Sequence, residues 1–138
     1  MAARDVLLDA GPIVALLDRR DQWHAASPGA WQQLAYRCLT TEAVLAEACH
    51  LMLRGRYAAA APVELVLDAG IPILPLNRED HQRAARLMRD YADLPMDYAD
   101  ASIVSLAEAL DITRVFSTDR RGFGVYRLAG GKRFEIVP

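Results

Sequence analysis

The sequence predicts an α/β fold: a mostly parallel sheet of four to five strands with helices on both faces. Three observations predict it. Short apolar runs alternate with longer helical segments along the chain, the pattern of βα units and hence of parallel strands. The 138 residues are 53% hydrophobic and 25% charged, ordinary values for a globular chain with a sizeable core. No apolar stretch reaches the roughly 18 to 20 residues of a membrane helix, because Asp9, Asp18, Glu47, Glu64, Asp68 and Glu108 interrupt every candidate. One domain over residues 1–138 is expected.

In order, "RDVLL" is a buried first strand ending at Asp9. "GPIVALLDRR" is helical, with Pro12 near its start. "HAASPGAWQQLA" is helical after Pro28, and Trp23 and Trp31 are available to pack. "YRCLTT" is a second strand whose last residues, Thr40 and Thr41, can cap the helix "EAVLAEACHLMLR", which Gly55 stops. "PVELVLDAG" is a helix from Pro62 to Gly70. "IPILPL" is a third strand that Pro72 and Pro75 push toward a sheet edge.

"REDHQRAARLMRDYA" is amphipathic, with Ala84, Leu87, Met88 and Tyr91 at helical spacing. "LPMDYADASIVSLAEAL" reads as one helix, with Asp97 as its N-cap and Asp100 reaching back in a loose capping box. "TRVFST" is a fourth strand ending at Asp119, and "RFEIVP" a fifth. No repeat, low-complexity tract or linker interrupts the series.

The net charge of −2 argues against a protein that coats nucleic acid, which needs a basic excess. Lys132 is the only lysine, so nearly all positive charge is arginine, whose fork suits phosphate. Arginine-rich codon usage accounts for that bias equally well. Cys38 and Cys49 are too few for a disulfide framework and lack metal-ligand spacing, so both are expected as buried thiols. "MAARDVLLDAGP" has no signal-peptide core or cleavage site, and the expectation is a cytoplasmic protein.

The chemistry lies in the acids. In open α/β sheets, ligands bind beyond the carboxyl ends of the strands. Asp9 and Asp119 follow strands there, Asp97 and Asp100 open the helix feeding the fourth strand, and Glu47 lies two turns into the helix after the second. Each has a mundane explanation alone: the aspartates as caps, Glu47 as the boundary of the apolar arc Val44, Ala48, Leu51 and Met52. Convergence changes the odds. Two like charges 4 Å apart repel by about 4 kcal/mol at an effective dielectric near 20, so such a cluster takes up protons or binds a cation. An all-oxygen set favours a hard ion, Mg²⁺ or Mn²⁺, whose waters and Lewis acidity suit phosphodiester hydrolysis. Setting aside Asp9, Glu47, Asp100 and Asp119 takes the rest of the chain from −2 to +2, a remainder that tolerates a polyanion.

The runs "LLDAGPIVALLDRRDQWH", "TTEAVLAEACHLM" and "LPMDYADASIVSLAEALDITRVFSTDRRGF" resemble, in that order, the PIN-domain family, and in particular the VapC-type toxins of bacterial toxin–antitoxin pairs. The resemblance implies a three-layer α/β/α sandwich that binds Mg²⁺ or Mn²⁺ through four acids and cuts RNA. The four fall on Asp9, Glu47, Asp100 and Asp119, with Asp97, Ser117 and Thr118 in supporting positions. It also implies a small antitoxin partner and a homodimer. One departure is that Ala10 and Gly11 follow the first aspartate, where the family often carries Ser or Thr. Arg19, Arg20, Arg54, Arg120 and Arg121 are candidates for RNA phosphate contact.

Alternatives are a PIN nuclease of RNA processing that is not a toxin, or an inactive PIN fold serving as a binding module. Histidine catalysis is disfavoured because His24, His50 and His81 lie on separate segments with no paired nucleophile. A phospho-acceptor domain would want an aspartate after the third strand, and "IPILPLN" has none.

Overall fold

Three apolar residues in a row suit a strand covered on both faces, and that is the place of β1 (Val6–Leu8), whose residues are all fully buried. The structure, a computed structural model, describes residues 3–138; Met1 and Ala2, the start of the expected N-terminal segment, lie outside the described residues. β1 pairs in parallel with β2 (Cys38–Thr41) on one side and with β4 (Arg114–Phe116) on the other. Outside these lie β3 (Ile73–Leu74) and β5 (Glu135–Val137), giving the order β3-β2-β1-β4-β5 with every pairing parallel. β3 sits at the edge that its flanking prolines demand.

Between β1 and β2 run α1 (Ala10–Leu17) and α2 (Ser27–Leu34); between β2 and β3, α3 (Glu42–Arg54) and α4 (Ala61–Asp68). α5 (Arg78–Asp90) and α6 (Tyr98–Leu110) connect β3 to β4, and α7 (Arg120–Val125) precedes β5. The chain steps outward from β1 to β3, then returns past β1 to place β4 on its other side. Right-handed crossovers in opposite directions put their helices on opposite faces. α1 accordingly packs with α2, α3 and α4, and α5 packs on α6, while α3 also meets α6. The result is a three-layer α/β/α sandwich, and the reversal of direction leaves a crevice between the carboxyl ends of β1 and β4.

α6 is covered almost all round: Ala99 and every residue from Ala101 to Ala107 are buried. Its two buried serines are satisfied, Ser102 sharing a 2.8 Å hydrogen bond with Thr41 and Ser105 donating to the Asp80 carbonyl. The Thr41–Ser102 bond ties the start of α3 to the first turns of α6. Thr41 also caps α3 by accepting from Val44 N, as its position implied.

Three expectations need correction. α6 begins at Tyr98, and Leu94–Met96 precede it outside the helix. Asp97 Oδ1 does cap it, accepting from Asp100 N at 2.8 Å, but the Asp100 carboxylate turns to Tyr126 rather than back to the cap. Cys49 is only half-buried, in contrast to Cys38. α7 was not foreseen, since two glycines in "RRGFGV" count against a helix; the Asp119 cap on Gly122 N starts it.

Candidate metal centre

Asp9 leaves β1 where the strand ends, and its N–H continues the sheet ladder by donating to Phe116 O. Its carboxylate does not cap α1; Oδ2 instead accepts from Ser117 Oγ at 2.7 Å. Ser117 Oγ in turn accepts from Asp119 N at 2.9 Å, so one hydroxyl sets both the first acid and the loop carrying the fourth. Gly122 N donates to Asp119 Oδ1 at 2.9 Å. A Cβ on Gly122 would lie 2.4 Å from Asp119 Oδ2 and 3.1 Å from Tyr126 Oη, so glycine is what lets both groups approach. Tyr126 Oη donates to Asp100 Oδ2 at 3.1 Å, and its ring is wedged edge-on against Tyr91 and Phe123. The single stretch from Ser117 to Tyr126 therefore orients three carboxylates from three different parts of the chain.

Asp9, Glu47, Asp97, Asp100 and Asp119 line one open cavity of about 210 Å³. Ala10, Gly11, Leu51 and Thr118 complete its wall, and among these residues none is basic. The four acids expected to converge do so, and Asp97 joins them on the rim while capping α6. Gly11 explains the departure noted after the first aspartate. A Cβ there would lie 2.2 Å from Thr118 Oγ1, so Thr118 brings a hydroxyl into the space a side chain at position 11 would take.

Burial and mutual repulsion raise three of these carboxyls, those of Asp9, Glu47 and Asp100. Asp9 is pushed up to about 6, first by burial and then by Asp119 and Asp97, against the opposing Ser117 bond. Glu47 and Asp100 rise to about 8, again through burial first, with Asp97 and Asp9 adding to it. The Tyr126 phenol is raised as well, by burial and by the Asp100 charge.

An oxygen-only donor set with no basic residue in the cavity lining is chemically matched to a hard divalent cation such as Mg²⁺ or Mn²⁺. Among the described residues, no three His, Cys, Asp or Glu groups stand close enough together to hold a metal ion as they are placed. The acids ring the cup instead, an arrangement suited to an ion that keeps several of its waters.

The five arginines do not gather here. Arg20 is engaged elsewhere, donating to Gly55 O at 2.7 Å and lying over the Tyr57 ring. Arg120 donates to Pro138 O beside a neighbouring cavity, and Arg19, Arg54 and Arg121 are exposed away from the cup lining. Sequence reasoning missed Tyr126 and Gly122, because a tyrosine seven residues past an aspartate carries no local signal. The glycine pair in "RRGFGV" was the one visible clue.

Comparison with known proteins points the same way. The model of the PIN domain matches residues 6–129. Ribonuclease VapC26 of Mycobacterium tuberculosis is 26% identical over 135 residues, spanning 96% of this chain and 100% of the relative. The crystal structure of M. tuberculosis VapC20, described as a sarcin–ricin loop cleaving toxin, has a TM-score of 0.78 at 17% identity, covering 96% of this chain and 99% of that one. PAE2754 from Pyrobaculum aerophilum has a TM-score of 0.56 at 21% identity, covering 86% of this chain and 84% of its own. VapBC-1 from nontypeable Haemophilus influenzae has a TM-score of 0.54 at 16% identity, covering 89% and 91%. At such identities the solved structures establish a shared fold. No helix among the described residues is long and apolar enough to cross a membrane.

Proposed function

Because the chain belongs to the PIN-domain family, we propose that it is a Mg²⁺- or Mn²⁺-dependent endoribonuclease, the toxin of a type II toxin–antitoxin pair. The observation that carries the reading is the cup of five carboxylates without a basic neighbour at the carboxyl ends of β1 and β4. Its likeness to a curated VapC ribonuclease over nearly the whole chain supports the substrate class.

In this reading Asp9, Glu47, Asp100 and Asp119 would hold the ion. When bound, the ion supplies Lewis-acid activation of water and neutralises charge on the scissile phosphate. The chain's own part is orientation. Ser117 fixes Asp9, Gly122 N–H fixes Asp119 and Tyr126 fixes Asp100, so the carboxylates face the cup at little further ordering cost. Glu47 would complete the set around the ion or orient the attacking water. Asp97 holds the helix end that presents Asp100. The protein would act as one PIN domain in the cytoplasm, as a homodimer, with a small antitoxin that covers the acidic cup. VapBC-1, a structural neighbour, supports the search for such a partner.

The deciding assay incubates the protein with structured RNAs in Mg²⁺ or Mn²⁺, with an EDTA control. Cleavage is expected only with metal, and Asp9→Asn is expected to abolish it with the fold intact by circular dichroism. Undiminished cleavage by that variant would remove the assignment.

A further inference from the structure

A second cavity, of about 160 Å³, adjoins the acidic cup, and its apolar lining has no part in the mechanism above. Pro12, Trp23, Ala26 and Phe116 give it an apolar lining, and Thr118 and Arg120 give it a polar edge. Thr118 lines both cavities, and Ser117, which donates to Asp9, also lines the hollow, so the hollow lies beside the carboxylates. Trp23 remains 44% exposed here, although the sequence offered it for core packing; Trp31 is the tryptophan that packs inward, against Phe116. Arg120 donates to Pro138 O at 3.2 Å across one side and keeps its other guanidinium donors.

Size and chemistry narrow the occupant. An apolar cavity of about 150 Å³ accepts benzene, so this hollow has room for a flat ring and none for a helix. Single-stranded RNA is recognised by splaying a base out, stacking it on an aromatic face and meeting its edge with polar groups. Trp23 offers the face, while Thr118 and Arg120 offer the edge.

We infer that this cavity takes one unstacked nucleobase of a single-stranded RNA segment whose adjacent phosphate lies over the acidic cup, an inference that rests on the ribonuclease reading. Stacking on Trp23 then sets the register of the strand and contributes to the choice of cleavage site. The acids do the cutting, and the hollow decides which phosphate reaches them.

The test reads tryptophan fluorescence while a short single-stranded oligoribonucleotide is titrated in EDTA, alongside the same oligomer carrying one abasic nucleotide. The intact oligomer should quench saturably, the abasic one should bind more weakly, and Trp23→Leu should lose the quench. With Mn²⁺ present, Trp23→Leu should raise KM about 5- to 150-fold, the range for one base–aromatic stack, with kcat and metal affinity unchanged. Trp23→Phe should restore most of the loss. Ala26→Leu, which fills the hollow from an exposed position, should raise KM without touching Trp23. Equal quenching by both oligomers, or an unchanged KM in both Trp23→Leu and Ala26→Leu, would overturn the inference. So would protection of the hollow by a co-expressed antitoxin alone, with indifference to RNA. Base-dependent quenching without any cleavage would uphold the base site and refute the ribonuclease reading.

Discussion

Asp5 and Asp9 stand at opposite ends of the same short strand and meet opposite fates. At the amino end, Asp5 is gripped by two arginines, with Arg37 Nη2 2.8 Å and Arg114 Nη1 2.7 Å from its Oδ2. Arg114 reaches on to Glu135 at 2.9 Å, so acids and cations alternate across the sheet. The Arg37 hydrogen bond holds the Asp5 carboxyl below the usual carboxylate range. At the carboxyl end, Asp9 has a serine and four other acids for company, and burial pushes it up. The same residue type is neutralised by the protein in one place and left for something else to neutralise in the other. An unmatched acid cluster, rather than acidity as such, marks the working end of this sheet.

The largest expected effect tests that division directly. Asp100→Asn should lower metal-dependent cleavage by about 10²- to 10³-fold, the scale for losing one preorganised electrostatic group. Asp5→Asn should leave kcat near wild type, and equal losses in the two variants would dissolve the contrast.

Next comes pH. Asp9, Glu47 and Asp100 have folded values raised above their unfolded ones, so the stability they contribute is present below about pH 4 and lost as pH rises through about 6 to 8. Asp5 runs the other way: its contribution is present above its unfolded value and is lost only in acid. Thermal unfolding in EDTA should therefore occur at progressively lower temperature from pH 5 to pH 8.5. Saturating Mg²⁺ should restore stability most at the alkaline end, by about 2.7 kcal/mol at a hundredfold excess over Kd. A metal-free profile flat across that range would mean that neither burial nor mutual repulsion raises these acids.

Gly11→Ala should cost about 1–3 kcal/mol, because the new Cβ meets Thr118 Oγ1. Adding Thr118→Ala should recover most of it in a double-mutant cycle read by denaturant unfolding. The smallest effect belongs to the matched end. Asp5→Ala should cost on the order of 1 kcal/mol after discounting for its partial exposure, and the loss should shrink in high salt. A salt-independent loss would place the stabilisation in packing instead.

Much of this was legible from local pattern. The βα alternation, the edge position of "IPILPL" and the caps at Thr41 and Asp97 follow from hydrophobic periodicity and turn chemistry, which act over a few residues. Asp9 and Asp119 stood out because strand ends in an α/β chain are where ligands bind, and Glu47 and Asp100 joined them through the family resemblance. Where reading failed, the cause was distance along the chain. The helix α7 went unread in "RRGFGV", where two glycines lower helix propensity, and Trp23 was offered for packing because nothing local distinguishes an aromatic that lines a hollow from one that fills a core.

By itself the sequence determined the order of strands and helices and which side chains could bear charge at the strand ends, since those properties reside in short stretches and their neighbours. Tertiary structure alone decided that Ser117 holds Asp9 across 108 residues and that Tyr126 holds Asp100 across 26. It alone decided, too, that Gly11 makes room for Thr118 and that no arginine lines the cup. Those contacts depend on β4 returning beside β1, a choice made by burying all the strands and helices together, which no short stretch encodes.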